Sequence, residues 1–295
     1  MYLTGFADEA ADSLSDQIEV TKTLGWENIE SRDIDGINIH DLPEKKFDLV
    51  CKELEEKGVY VNCFGSAVAN WGVQITDPFE VTLEKVGRAI PRMQRLGTTL
   101  IRMMSYARLK NLDGTLASKQ MEEERFRRLR IITDLFTSAG ITPVHENCMN
   151  YGGMGWSYTL KMLENVPGLK LVFDTGNPVA NVDYSAKPPY PMQSSWEFYQ
   201  KVKKHIAYIH IKDGVYNKTK DDLDYCYPGE GDGDVRRIVK DLLDNGYDGG
   251  ISMEPHMAVV FHDKNIAADA SFRRENYLEY GRRFMRLLEE VKENV

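Results

Sequence analysis

From one end of this chain to the other, short runs rich in β-branched and aromatic residues alternate with longer amphipathic segments, a rhythm that few architectures accommodate. Eight strand-like runs are expected at Leu3 to Phe6, Asn28 to Ser31, Tyr60 to Phe64, Leu100 to Met104, Thr142 to Glu146, Lys170 to Asp174, Ala207 to Ile211 and Gly250 to Glu254. Helical patterns follow at Leu14 to Leu24, Glu44 to Lys57, Pro78 to Leu96, Glu122 to Ser138, Trp156 to Leu163, Ser195 to Lys204, Val235 to Asn245 and Arg273 to Val291. Gly25, Gly58, Gly97, Gly140 and Gly246 stand where a helix should stop and the next strand begin. Eight such pairs predict an α/β fold, a (β/α)8 TIM barrel, rather than an open doubly wound sheet. No Gly-x-Gly-x-x-Gly follows the first strand, which argues against a dinucleotide-binding fold.

Length and charge narrow the function classes. The 295 residues carry 37 Lys plus Arg against 46 Asp plus Glu, a net charge of -9, so a nucleic acid is not an expected partner. No run approaches the ~18 consecutive apolar residues of a membrane helix, and no membrane association is expected. The four cysteines, Cys51, Cys63, Cys148 and Cys226, are too scattered for a redox motif or a thiolate zinc site, so free thiols in the cytoplasm are expected. With no low-complexity linker, residues 1–295 read as a single domain. Asn177 to Gln193 and Val215 to Asp234 become long loops after strands six and seven, where this architecture carries chemistry. Asp33 to Asn38, after strand two, reads as another edge of the mouth or as a plain turn.

Four late strands finish on a potential metal ligand, in Val144-His145-Glu146-Asn147, Val172-Phe173-Asp174-Thr175, Ile209-His210-Ile211 and Ser252-Met253-Glu254-Pro255. Parallel barrel strands aim their C-terminal ends at one mouth, so Glu146, Asp174, His210 and Glu254 would converge. Three carboxylates buried together repel one another, and a divalent cation resolves that conflict. Oxygen donors with one imidazole favour Mn²⁺, with Mg²⁺, Co²⁺, Fe²⁺ and Zn²⁺ left open.

On those residues the chain resembles the xylose isomerase-like sugar-phosphate isomerase/epimerase superfamily, over nearly its whole length. The likeness rests on Val144-His145-Glu146-Asn147, Phe173-Asp174-Thr175-Gly176-Asn177, Ile209-His210-Ile211-Lys212-Asp213, Pro228-Gly229-Glu230-Gly231-Asp232 and Gly246 to Pro255. It implies that Glu146, Asp174, His210 and Glu254 bind one divalent metal, and that Glu146 and Glu254 are the catalytic, proton-transferring pair. Many members place a substrate-binding His where this chain has Asn177, an amide that hydrogen-bonds but does not change charge near neutral pH. Ketose epimerases also commonly offer an Arg shortly after the strand-seven His, where this chain has Lys212 and Tyr216; that departure argues against a simple ketose 3-epimerase.

Further substrate-binding candidates surround this set. Lys212 lies two residues after His210, so alternation directs it to the same face, towards substrate or into a salt bridge with Asp213 or another carboxylate. His256 stands in the same relation to Glu254, with Pro255 between them. Arg102, within strand four, and Glu30 and Arg32, ending strand two, would ring the pocket floor. Trp71 would stack on a sugar face, as would Trp156, unless either anchors a helix. His145 should point outward into the strand–helix layer. Gly229 to Asp234 reads as a flexible mouth loop with Asp234 as N-cap of the seventh helix, and Arg125 to Arg130 as a solvated helix face.

The expected activity is therefore metal-dependent isomerisation or epimerisation of a small carbohydrate: a keto sugar, a sugar phosphate or a 3-keto-glycoside. Carboxylate proton transfer through a metal-stabilised enediolate would carry it. A dehydratase or lyase using the same site is the alternative, ahead of an endonuclease IV-like phosphodiesterase or a noncatalytic sugar-binding barrel. A metal cluster of the phosphodiesterase kind has few donors here: the histidines are His40, His145, His205, His210, His256 and His262. A homo-oligomer joined through the barrel helices is compatible with the pattern, though no interface is legible.

Overall fold

Residues buried on both faces of a strand read as near-continuous apolar runs, and here those runs join one parallel sheet. In this computed structural model, which describes residues 1–260 and 263–293, the barrel strands are β1 (Tyr2–Gly5), β2 (Asn28–Ser31), β3 (Tyr60–Gly65), β4 (Leu100–Met103), β5 (Thr142–Glu146), β6 (Lys170–Asp174), β7 (Ile206–Ile211) and β8 (Gly250–Met253). They lie in the order β1-β8-β7-β6-β5-β4-β3-β2. The register of β1 on β8 runs from Tyr2↔Gly250 to Gly5↔Met253. On its other side β1 meets β2 through the isolated parallel bridge Phe6↔Glu30, which closes the ring. The sheet is therefore the eight-stranded barrel that the alternation predicts.

The helices are α1 (Leu14–Thr23), α2 (Glu44–Lys57), α3 (Phe79–Leu96), α4 (Glu122–Ser138), α5 (Trp156–Asn165), α6 (Ser195–Val202), α7 (Val235–Asp244) and α8 (Ala270–Glu293). Ser13 and Ser194 cap α1 and α6 by accepting from Asp16 N and Glu197 N. Gly58 and Gly97 end α2 and α3 at φ of 60° and 69°, left-handed values that favour glycine. None of the described helices is long and apolar enough to cross a membrane.

Side-chain alternation sorts each strand into two environments. Ile101, Phe173, Ile209 and Ile251 face outward into the large core beneath the helices. Cys63, Val144, Val172 and Tyr208 form a separate inner cluster, with Leu100 and Ala207 against it. Two residues further along the strands, the same inward face presents Arg102, Glu146, Asp174 and His210, all buried. Thus an apolar plug fills the lower barrel and supports a charged layer above it.

Three local expectations are corrected. Arg125 is not on a solvated face: it is fully buried and donates to the backbone carbonyls of Gln120, Ser105 and Ala107 at 2.5, 2.6 and 2.7 Å. Its charge ties down the loop after β4. Asp234 occupies the N-cap position of α7 but makes no side-chain cap, because its own backbone is left-handed at φ 52°. The glycine loop before it is instead pinned to Asp213, whose carboxylate accepts from the N–H groups of Gly214, Gly229, Gly231 and Gly233 at 2.8–3.1 Å. A Cβ on Gly231 would lie 2.4 Å from that carboxylate. The long loop after β7 also folds back as a hairpin, Gly214–Asn217 against Asp222–Tyr225, and Asp33–Ile34 pairs with Ile37–Asn38. His262 lies outside the described residues.

Candidate active site

The charged layer opens into a cavity of about 360 Å³ at the C-terminal end of the strands. Strand register brings its central groups together: Asp174 pairs with His210 across β6 and β7, and Glu254 N donates to Ile211 O at 3.0 Å. One donor atom from each of Glu146, Asp174, His210 and Glu254 lies within 4.8 Å of the others. His210 Nδ1 is 3.9 Å from Glu146 Oε1 and 3.8 Å from Glu254 Oε2, between the two carboxylates. The four predicted ligands therefore converge although they are scattered over more than a hundred residues.

Their environment is ionic throughout. Arg102 Nη1 donates to Glu146 Oε2 at 3.0 Å, and Asn177 Nδ2 donates to Glu146 Oε1 at 3.0 Å. Arg32 donates through Nη1 to Glu254 Oε1 at 3.1 Å and through Nε to Asp8 Oδ2 at 2.8 Å. Lys212 Nζ donates to Glu254 Oε2 at 3.0 Å and lies equally close to Asp174 Oδ2. Lys212 thus pairs with these two carboxylates and not with Asp213. Burial alone would raise the Glu146 carboxyl, but Arg102 and His210 outweigh it and hold it down to about 2. Burial is likewise outweighed at Glu254, held well below the usual range by Lys212, His256 and His210. At Asp174 burial wins over Lys212 and lifts the carboxyl to about 6. His210 goes the other way: burial opposes its charge, yet Glu30 and Glu146 hold the imidazole up to about 10.

Two buried atoms of this cluster, Asp174 Oδ2 and His210 Nδ1, have no hydrogen-bond partner. Lys212 approaches the first as a charge contact off hydrogen-bond alignment. Buried polar atoms of that kind are costly unless something else satisfies them. Oxygen and nitrogen donor atoms gathered within 4.8 Å of one another fit a divalent cation. On the far side of the imidazole, Nε2 is 3.0 Å from Glu30 Oε2, the carboxylate–histidine pairing that orients a metal-binding ring.

The remaining candidates fall as follows. Asn177, Lys212, His256, Arg102 and Trp71 all line the cavity, with Trp71 on its rim, 41% exposed. His256 is held by Glu9, which accepts from its backbone N at 2.7 Å and lies 2.9 Å from its Nδ1. Trp156 begins α5 away from the cavity, with the Lys201 ammonium 5.1 Å from its ring, so it anchors a helix. His145 points outward, 3.0 Å from Ser105 Oγ and 3.1 Å from Asn150 Oδ1, and burial lowers it to about 4. Asp8 and Glu9 carry no expectation from the sequence, although Ala7-Asp8-Glu9, a short 3-10 turn, follows β1 with acidic residues much as Glu254 follows β8. Asp222 and Tyr225, which also line the cavity, come from the hairpin after β7 and carry no local signal.

The chain belongs to the family of xylose isomerase-like TIM barrels, whose model matches residues 18–287. Among solved structures it is similar to a xylose isomerase-like TIM barrel protein of Mycobacterium smegmatis in complex with magnesium, with 16% identity, a TM-score of 0.68 and 97% of each chain covered. It is similar also to D-psicose 3-epimerase of Clostridium cellulolyticum H10, with 15% identity, a TM-score of 0.66 and coverage of 98% of this chain and 99% of that one. A third is the probable 3-DHS dehydratase AsbF of Bacillus anthracis, with 17% identity, a TM-score of 0.66 and coverage of 95% and 98%. Likeness at such identities establishes a shared fold. No curated protein matches the sequence.

Proposed function

We propose that this chain is a divalent-metal-dependent isomerase or epimerase of a small keto sugar. The observation that supports it most is the meeting of Glu146, Asp174, His210 and Glu254 donor atoms within 4.8 Å, with His210 Nδ1 left without a hydrogen-bond partner. These four side chains would hold the ion, with Mn²⁺ favoured. When bound, it supplies polarisation of a carbonyl and its neighbouring hydroxyl, which acidifies the adjacent C–H.

Glu146 and Glu254 move the proton. Both are held ionised by neighbouring cations, so neither carries a proton at the start, and each lies within 3.9 Å of His210 Nδ1. One carboxylate takes the proton from carbon. For inversion the other carboxylate first takes a proton from solvent and gives it to the opposite face of the same carbon, while the first releases its own to solvent. Return of a proton by the first carboxylate to the neighbouring carbon instead exchanges aldose and ketose. Arg102 and Asn177 fix the Glu146 carboxylate from two directions, and Arg32 and Lys212 do the same for Glu254. The buried floor excludes bulk water from the planar intermediate. His256 and Trp71 contact the sugar further out. This reading places the enzyme in the cytoplasm, with its four cysteines as free thiols.

The test is product NMR in deuterated water with the Mn²⁺-loaded protein and a panel of keto sugars. Deuterium on carbon with no substituent lost is expected. Loss of water or of a glycosidic group would move the reading to a dehydratase or lyase, and binding without any exchange would sink it.

A further inference from the structure

Lys212 stands on the oxygens that a divalent ion would need. Asp174 Oδ1 accepts from the backbone N–H groups of Gly176 and Asn177 at 2.9 and 2.6 Å. That leaves Oδ2 for a cation, and Lys212 Nζ lies 3.0 Å from it. Glu254 is divided in the same way. Arg32 Nη1 donates to Oε1 at 3.1 Å, whereas Lys212 Nζ donates to Oε2 at 3.0 Å, and that same Oε2 lies 3.8 Å from His210 Nδ1. The ammonium and an ion held by these side chains therefore claim the same two oxygens. Sharing them would set a divalent and a monovalent cation a few ångströms apart in buried surroundings, where like charges repel strongly.

The base of this side chain is fixed and its tip is not. Lys212 N donates to Thr175 Oγ1 at 3.1 Å, and Thr175 Oγ1 donates back to Lys212 O at 2.6 Å. A Cβ on Gly176 would fall 2.8 Å from Lys212 Cγ, so the stem packs on backbone that glycine leaves bare. Lys212 lines the cavity, and rotation about its last bonds carries the ammonium from the carboxylates towards a ligand while the main chain stays still. Resting on the isomerase reading for its substrate half, we infer that Lys212 is an internal counter-cation, which a divalent ion displaces from Asp174 Oδ2 and Glu254 Oε2 and which then donates to an oxygen of the bound sugar. Arg32, on Glu254 Oε1, keeps its hold through the exchange. The order of assembly follows: the ion enters first, and the ammonium is free for the sugar only afterwards.

The test uses the full chain, freed of metal with a chelator and then titrated with Mn²⁺. In calorimetry Lys212→Met and Lys212→Gln should each bind the ion at least about tenfold tighter than the parent, because a competing cation is gone. In the parent, a pulse of acetic anhydride, read at Lys212 by peptide mass spectrometry, should label the residue several-fold faster after Mn²⁺ loading. A bound ketohexose or ketopentose, tried one by one, should protect it again. The loaded variants should bind that sugar several-fold more weakly, the opposite sign to their effect on the ion. Ion binding unchanged or weakened in both folded variants overturns the inference, as does labelling that Mn²⁺ leaves unchanged or slows; the labelling decides alone if neither variant folds. A sugar that binds without protecting Lys212, and equally well to the variants, overturns the substrate half. Should the first two results come out as expected while no sugar binds or exchanges deuterium, the isomerase reading falls and the ion exchange stands. Deuterium exchange by a parent that fails those two measurements does the reverse.

Discussion

The late strands β5 to β8 and the early strands β1 to β4 contribute opposite things to one cavity. From the late half come Glu146, Asp174, His210 and Glu254, whose donor atoms lie within 4.8 Å of one another. From the early half come Arg32 and Arg102, each bonded to one of those carboxylates, and Glu30, bonded to His210. One half supplies the groups proposed to act, and the other supplies charges that pair with them in their buried setting. Lys212 breaks the symmetry as a late-strand cation placed between two late-strand carboxylates.

If that division holds, removing an acting group and removing a supporting one should fail differently. The largest effect expected is on turnover: Glu146→Gln or Glu254→Gln should each lower kcat for deuterium exchange by about 10² to 10⁴, with the circular dichroism spectrum unchanged. Next, Arg102→Met or Arg32→Met leaves buried carboxylates short of a partner. Either should cost about 3–5 kcal/mol in urea unfolding of the metal-free protein; a loss below about 1 kcal/mol would mean that the early half carries little of the burden assigned to it. Asp174→Asn and His210→Asn should weaken Mn²⁺ binding by at least about 10- to 100-fold in a calorimetric titration, against a parent stoichiometry of one ion per chain.

The smallest effect is on pH dependence. Burial lifts both Asp8 and Asp174 from an ordinary value of 3.8 to about 6. A carboxyl raised in the folded state binds more protons than in the unfolded state between those values, so its contribution to stability falls as pH rises from about 4 to about 6. In the metal-free protein, Asp8→Asn and Asp174→Asn should each flatten part of that fall in melting temperature. Loading the metal should abolish the share due to Asp174 and leave the share due to Asp8.

The same division explains what was legible in the sequence. A strand buried on both faces advertises itself by composition, so the expected span of β2, β5 and β6 coincides with the observed one and the other strands differ only at their ends. Glu146, Asp174 and Glu254 stand at predictable strand ends, and alternation places Lys212 beside His210. Pairing between distant strands leaves no local trace. Nothing near Arg32 shows that it holds both Asp8 and Glu254, and nothing near His210 names Glu30, 180 residues away, as its partner. Arg125 was misread for the same reason. A basic run on a helix looks solvated until the loop whose carbonyls it binds is in view.

The bridge between Phe6 and Glu30 closes a ring whose other side, β1 against β8, is held along four residue pairs. Glu30 lends its backbone to that bridge and its carboxylate to His210 Nε2. An ion seated on His210 would therefore steady the thinnest seam of the cylinder, and transient parting there, read as amide hydrogen exchange along β2, should slow when the site is filled. Occupancy would be recorded in how the barrel breathes as well as in what it converts.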